Sequence, residues 1–266
     1  MIEPGRKSAS KFDRILIVDP SVASAKMLAN LLRSLWPTAQ VYGAKDAAKA
    51  MELAPAVDPQ LVFVEAAGPG LDGMAFARAW RRCDYDCREA AMIMIFGEVT
   101  SAQLVEARDS GVHEFLRRPF AMGDLQKRLE AVSGRPRDWI EAVAYVGPDR
   151  RRFNSADYKG PRKRSSDGPA KTQKINQALR IVQSACVQMD ADPVQAARAL
   201  TTQARILIEL SAGQEQLKRL GAAATYLQAY LNAAAIKGAP LARDQVQTFA
   251  ANLLLVAPED ARPKAA

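Results

Sequence analysis

The chain has 266 residues, of which 48% are hydrophobic and 25% charged, with a net charge of +8; that is room for two ordinary domains, each with a real core. No run approaches the roughly 20 apolar residues of a membrane span, and the basic residues Arg6-Lys7 are not followed by the long apolar run expected of a signal peptide. Three cysteines (Cys83, Cys87, Cys186) fit a reducing compartment, and no set of four ligands for structural zinc accompanies Cys83 and Cys87.

The first segment alternates two patterns. Arg14–Val18 is a short β-branched run, followed by a helix with Met27, Leu28, Leu31, Leu32 and Leu35 on one face. Ala39–Gly43 reads as a weaker strand and Ala44–Leu53 as a short helix. Leu61–Val64 is a buried strand ending at Glu65, and Met74–Arg81 is helical. Ala91–Phe96 is the fourth strand, Ser101–Ser110 helical, Glu114–Leu116 the fifth strand and Gly123–Val132 the last helix. Strands that alternate with helices and are apolar throughout predict a doubly wound parallel sheet covered on both faces, spanning residues 12–133.

Residues 134–168 break the pattern. They are rich in Gly, Pro, Ser, Arg and Lys and read as an extended or disordered linker. Residues 169–258 predict four helices. Ile175, Leu179, Val182, Cys186 and Met189 form the first stripe. Asp192-Pro193 opens a second helix carrying Leu200, Ala204, Leu207 and Ser211. Leu217, Leu220, Ala224, Leu227 and Leu231 mark a third, and Val246, Phe249, Leu253 and Val256 a fourth. A small all-α bundle is expected.

Two phrases are specific. Glu65-Ala66-Ala67-Gly68-Pro69-Gly70-Leu71-Asp72-Gly73 resembles the acceptor-Asp-x-x-x-Pro-Gly-x-Asp-Gly loop of CheY-like response-regulator receivers, and Phe115-Leu116-Arg117-Arg118-Pro119-Phe120 resembles their aromatic-x-x-Lys-Pro-Phe. The resemblance implies the flavodoxin-like sheet order 2-1-3-4-5. It also implies a phosphoacceptor aspartate after the third strand, a Mg²⁺ held by two acids after the first, a hydroxyl after the fourth and a lysine after the fifth. Here these positions carry Glu65, Asp19 followed by Pro20, Phe96 and Arg118. The acceptor is one methylene too long for in-line attack, and errors near 1 Å cost about 100-fold. Mg²⁺ binding is expected to be weak or absent. A degenerate phosphoacceptor site follows, formed by Asp19, Glu65, Phe96 and Arg118.

Two readings of that site stand side by side. In one, Glu65 pairs with Arg118, the two ending neighbouring strands, and imitates a phosphorylated state. In the other, the pocket has decayed and the domain is a docking surface. Phe115 matches the family's rotating aromatic, yet without a hydroxyl partner it is expected simply to pack. His113, the only histidine, opens the fifth strand and is expected to be structural.

The linker carries Arg150, Arg151 and Arg152, then Arg162, Lys163 and Arg164. Arginine forks bind phosphates bidentately, so cyclic di-GMP is a candidate ligand, as in PilZ domains. A solvated charge run and contact with nucleic acid are the alternatives. The last two predicted helices carry only Lys218, Arg219, Lys237 and Arg243, scattered and unlike a recognition helix. The bundle therefore reads as an interaction module, with its seams available to a second copy. No P-loop, His-Glu-x-x-His or Gly-x-Ser-x-Gly motif is present. The expectation is a cytoplasmic bacterial signalling adaptor that binds regulatory proteins and has no catalytic residues of its own.

Overall fold

A computed structural model describes residues 12–134, 137–150 and 170–263. The chain divides into two compact units, one built from residues 1–140 and 146–156, the other from residues 141–145 and 157–266.

In the first unit, strands β1 (Arg14–Val18), β2 (Gln40–Ala44), β3 (Leu61–Glu65), β6 (Ala91–Phe96) and β7 (Glu114–Arg117) form one sheet. Its order is β2-β1-β3-β6-β7, every pairing is parallel, and the order is the expected one with the third and fourth crossovers leading to β6 and β7. Between β3 and β6 lies a two-residue hairpin, β4 (Ala67–Gly68) and β5 (Leu71–Asp72). Alternate residues serve opposite faces. Leu16, Val18, Val62, Val64, Met92 and Met94 pack beneath α2 (Ala47–Val57), α3 (Gly73–Arg82) and α4 (Ser101–Asp109). Ile15, Ile17, Leu61, Phe63, Ile93 and Ile95 face α1 (Val22–Leu35) and α5 (Met122–Gly134). Two buried faces explain why these strands are apolar end to end.

Helix α2 runs to Val57, past the expected end at Leu53. Pro55 lies in its last turn, where its missing N–H leaves the Met51 carbonyl without its intrahelical donor.

The expected linker is partly regular. Trp139–Glu141 (β8) and Val146–Pro148 (β9) pair as a short hairpin. Trp139 and the residues flanking the hairpin in the first unit, Arg137 and Arg150, each find partners there. The guanidinium carbons of Arg81 and Arg88 lie 5.3 and 6.0 Å from the centre of the Trp139 ring. Arg137 and Arg128 both bridge Glu114. Arg150 pairs with Asp109 at 2.7 Å. Composition suggested a chain too polar to order, but the ordering comes from partners on the receiver-like unit that composition does not show.

In the second unit, four α-helices follow: α6 (Ala170–Gln188), α7 (Pro193–Ser211), α8 (Lys218–Lys237) and α9 (Arg243–Val256). Asp192 caps α7, its Oδ1 accepting from Gln195 N at 3.0 Å, and Pro193 opens the first turn. Gly238 ends α8 with φ +59°, the left-handed cap that suits glycine. A Cβ on Gly221 would stand 2.9 Å from Ser211 Cβ, so α7 and α8 approach closely there. Ile175, Leu179, Val182, Leu200, Leu207, Leu220, Leu227 and Leu253 are all buried. Residues 141–145 belong to this unit, with Glu141, Val143 and Tyr145 buried. Glu141 is 1% exposed and accepts from Gln195 Nε2 at 2.6 Å, while Gln203 Nε2 donates to the Glu141 carbonyl at 3.2 Å.

Candidate functional site: an arginine between two carboxylates

The carboxyl ends of β1, β3 and β7 meet at one edge of the sheet. β1 delivers Asp19, whose N–H donates to the Ala44 carbonyl at 3.0 Å and whose Oδ1 accepts from Ser21 N at 2.7 Å. β3 delivers Glu65 as its last residue. Arg118 follows β7, and its backbone N–H donates to the Phe96 carbonyl at 2.7 Å.

Arg118 joins the two acids. Its Nε donates to Glu65 Oε1 at 3.0 Å, and its Nη2 donates to Glu65 Oε2 at 3.3 Å and to Asp19 Oδ2 at 3.1 Å. The fork is bidentate to Glu65. The side chains of Asp19, Glu65 and Arg118 are 6%, 13% and 22% exposed, so this is a partly buried cluster. The expectation that Glu65 and Arg118 end neighbouring strands needs correction: β6 lies between β3 and β7. Arginine spans the extra strand because of its length, and its guanidinium passes 5.8 Å from the centre of the Phe120 ring.

Burial pushes the Glu65 carboxyl above its ordinary value; hydrogen bonding and charge from Arg118 oppose that rise, and the Asp19 charge adds to it.

Phe96, 3% exposed, closes the side where a hydroxyl would stand. It meets Phe115 edge to face, with ring centres 5.9 Å apart and planes at 77°, a favourable aromatic geometry.

The Pro-Gly-Leu-Asp-Gly loop has architectural uses. Gly70 turns at φ +74°, where glycine carries no steric penalty. Asp72 caps α3, its Oδ1 accepting from Ala75 N at 2.9 Å. A Cβ on Gly73 would lie 2.3 Å from the Glu65 carbonyl oxygen. Pro20 stands where the family has a second acid, and its Cγ would be 2.9 Å from a Cβ on Gly68.

The residues do not fit a divalent cation. Such an ion needs several oxygen ligands in an octahedral array. Asp19 and Glu65 already accept from a guanidinium between them, and Pro20 offers none. Among the described residues no cluster of three His, Cys, Asp or Glu could hold a metal.

The other sequence candidates lie elsewhere. His113 Nδ1 accepts from Met92 N at 3.1 Å and faces Arg81 Nη2 at 3.2 Å. Burial, together with the Arg81 and Arg137 charges, holds its pKa well below the ordinary value. It is a neutral structural acceptor. Arg150 pairs with Asp109; Arg151, Arg152, Arg162 and Arg164 lie outside the described residues. The three cysteines are free thiols, and burial pushes Cys87 up to about 12. Arg81 was not singled out from sequence. It is 1% exposed and donates to the carbonyls of Gly111, Arg88 and Ala90. Its position in a helical last turn is the usual signal of a surface residue, so sequence carries no sign of this role.

Residues 15–130 match the family model described as response regulator receiver domain, and that part of the chain is a receiver domain. Chemotaxis protein CheY-3 of Vibrio cholerae serotype O1 is 27% identical over 119 residues, 45% of this chain and 90% of that protein. Chemotaxis protein CheY of Pseudomonas aeruginosa is 27% identical over 119 residues, 45% of this chain and 94% of that protein. The cyclic di-GMP phosphodiesterase response regulator RpfG of Xanthomonas campestris pv. campestris is 30% identical over 115 residues, 43% of this chain and 30% of RpfG. The solved structure of Vibrio cholerae chemotaxis protein CheY4 is 22% identical with a TM-score of 0.42, covering 46% of this chain and 99% of that one. Among the described residues no helix is long and apolar enough to cross a membrane.

Proposed function

We propose that this receiver works without phosphorylation, as a fixed platform in a signalling adaptor that binds regulatory proteins and catalyses nothing itself. One observation carries the reading: Arg118 bridges Glu65 and Asp19, so the carboxylate oxygens that would attack a phosphoryl group or ligate Mg²⁺ are held by a built-in cation. Phe96 supports it, because a ring packed on Phe115 has no hydroxyl with which to draw in the loop after β6. Regulation then enters through what the protein binds. The free thiols suit the cytoplasm, the compartment this reading assigns.

Acetyl phosphate with Mg²⁺, followed by intact-mass analysis, tests the reading, with beryllofluoride-induced change in Tm as a second readout. The expected result is no mass increase and no shift in Tm. Stable incorporation at Glu65 would overturn it.

A further inference from the structure

Helix α8 carries no charged side chain between Leu220 and Ile236. One face is used internally: Leu220, Ala224, Leu227 and Leu231 are buried within a helix that packs on α7 and α9. The opposite face repeats the pattern outward. Ala222, Tyr226, Ala229, Ala233 and Ile236, spaced alternately by four and three, are all exposed, Tyr226 at 67% and Ile236 at 87%. A helix on a protein surface ordinarily turns charged or polar residues to water, and an apolar stripe on its outer face calls for a covering partner. At 1.5 Å per residue the stretch from Ala222 to Ile236 presents an apolar seam about 21 Å long. Its alanines allow a second backbone to approach closely, and Tyr226 and Ile236 supply large projecting side chains.

The ends of the seam select the occupant. Lys218 and Arg219 stand at its start and Lys237 at its finish, and the helix itself holds no carboxylate. A concavity at the start is lined by Lys218, Arg219, Leu255, Val256 and Arg262, with Glu215 ion-paired to Lys218. Leu255 there is 72% exposed and extends the apolar surface. A second copy of α8 would bring like charges together at both ends in either orientation. The arginine tract of residues 150–164 has the same sign. The complementary surface is an apolar stripe flanked by carboxylates.

We propose that the outer face of α8 docks an amphipathic helix of a partner protein, its apolar stripe on Tyr226, Ala229, Ala233 and Ile236 and its acidic ends on Arg219 and Lys237. This names the docking surface of the adaptor and rests on that reading for a partner to exist.

Calorimetry of the full chain with three synthetic peptides about 20 residues long, matched to the length of α8, tests it. One has a Leu/Ala stripe with glutamates at both ends, one has the same stripe with lysines at both ends, and one is a scramble of the first. The expected result is saturable binding of the first and at least about tenfold weaker binding of the others. The double variant Tyr226→Asp/Ile236→Asp is expected to lose at least tenfold. The double variant Arg219→Glu/Lys237→Glu is expected to reverse the preference to the lysine-ended peptide, which keeps the test decisive if the first variant fails to fold. Equal binding of all three, or no binding, overturns the proposal. So does a concentration-dependent dimer that Ile236→Asp dissociates, since the occupant is then a second copy. Phosphoryl uptake at Glu65 would sink the phosphorylation-independent reading and leave the peptide result untouched, so the two failures are distinguishable.

Discussion

Arg118 Nε donates to Glu65 Oε1 at 3.0 Å while the same guanidinium reaches Asp19 Oδ2 at 3.1 Å, so one cation answers two carboxylates across the full width of β6. In a working receiver that space belongs to a metal and a phosphoryl group. Here a side chain of the protein itself stands between the two carboxylates.

Arg118→Met tests this balance. The variant leaves two carboxylates facing one another, and we expect a loss of about 2–3 kcal/mol in urea denaturation. That is less than the roughly 3–5 kcal/mol of a fully buried pair, because solvent screens a partly exposed one. Millimolar Mg²⁺ or Mn²⁺ is expected to raise the midpoint of the variant and leave the wild type unmoved. Equal stabilisation of both would count against the internal-cation account.

His113 sets an acid limit. Its folded pKa lies well below 6.5, so the unfolded chain takes up the proton first as pH falls. The stability is therefore present above about pH 6.5 and is lost below it, at up to about 1.4 kcal/mol per pH unit, until the folded pKa is reached. His113→Gln keeps an acceptor near Met92 N and has no proton to gain. Denaturation midpoints of the two proteins from pH 7 to 5 should diverge, with the variant flatter; parallel curves would exclude His113 as the cause.

Phe96→Ser restores a hydroxyl at the family position but opens a cavity beneath Phe115. The expected cost is about 3–5 kcal/mol, as for other large-to-small core changes. Because Glu65 and Arg118 are unchanged, acetyl phosphate should still leave no modification on the variant by intact mass.

Gly73→Ala and Gly43→Ala make a matched pair. The first places a Cβ 2.3 Å from the Glu65 carbonyl, and the second meets nothing within 4 Å. We expect about 1–3 kcal/mol lost in the first and less than about 0.5 kcal/mol in the second. A tolerant Gly73 would show that the loop can shift.

The helical unit is expected to need residues 141–145. Gln195 and Gln203 are each 2% exposed and donate to Glu141 and, for Gln195, to the Ala142 carbonyl. A fragment beginning at residue 170 strands these amides, at about 1–3 kcal/mol each. It should melt well below a fragment beginning at residue 139, by circular dichroism; equal melting temperatures would show that the segment is dispensable.

Much of this protein was readable from local chemistry. Apolar runs such as Leu61–Val64 and Met92–Ile95 are buried on both faces, which is what a central parallel strand demands. Asp192-Pro193 announced the start of α7 through backbone preferences that act within a few residues. The candidate site residues were named through the resemblance to receivers, which places the functional side chains at strand ends. The hairpin of residues 139–148 was not readable, since Trp139, Arg137 and Arg150 find their partners 20 to 60 residues away, beyond any periodicity.

By itself, the sequence determined the alternation of strands and helices and the start of α7 at Asp192-Pro193, and through the resemblance to receivers it grouped Asp19, Glu65, Phe96 and Arg118 as one candidate site. Those are matters of residue type and spacing along the chain. Only the tertiary structure decided what the substituted residues do: that Arg118 crosses β6 to hold both Glu65 and Asp19, that Phe96 is seated on Phe115, that Pro20 packs on Gly68, and that α8 turns one uncharged face inward and another to water. Each of these depends on which groups meet across the fold, and contact between side chains distant in sequence is set by packing rather than by order along the chain.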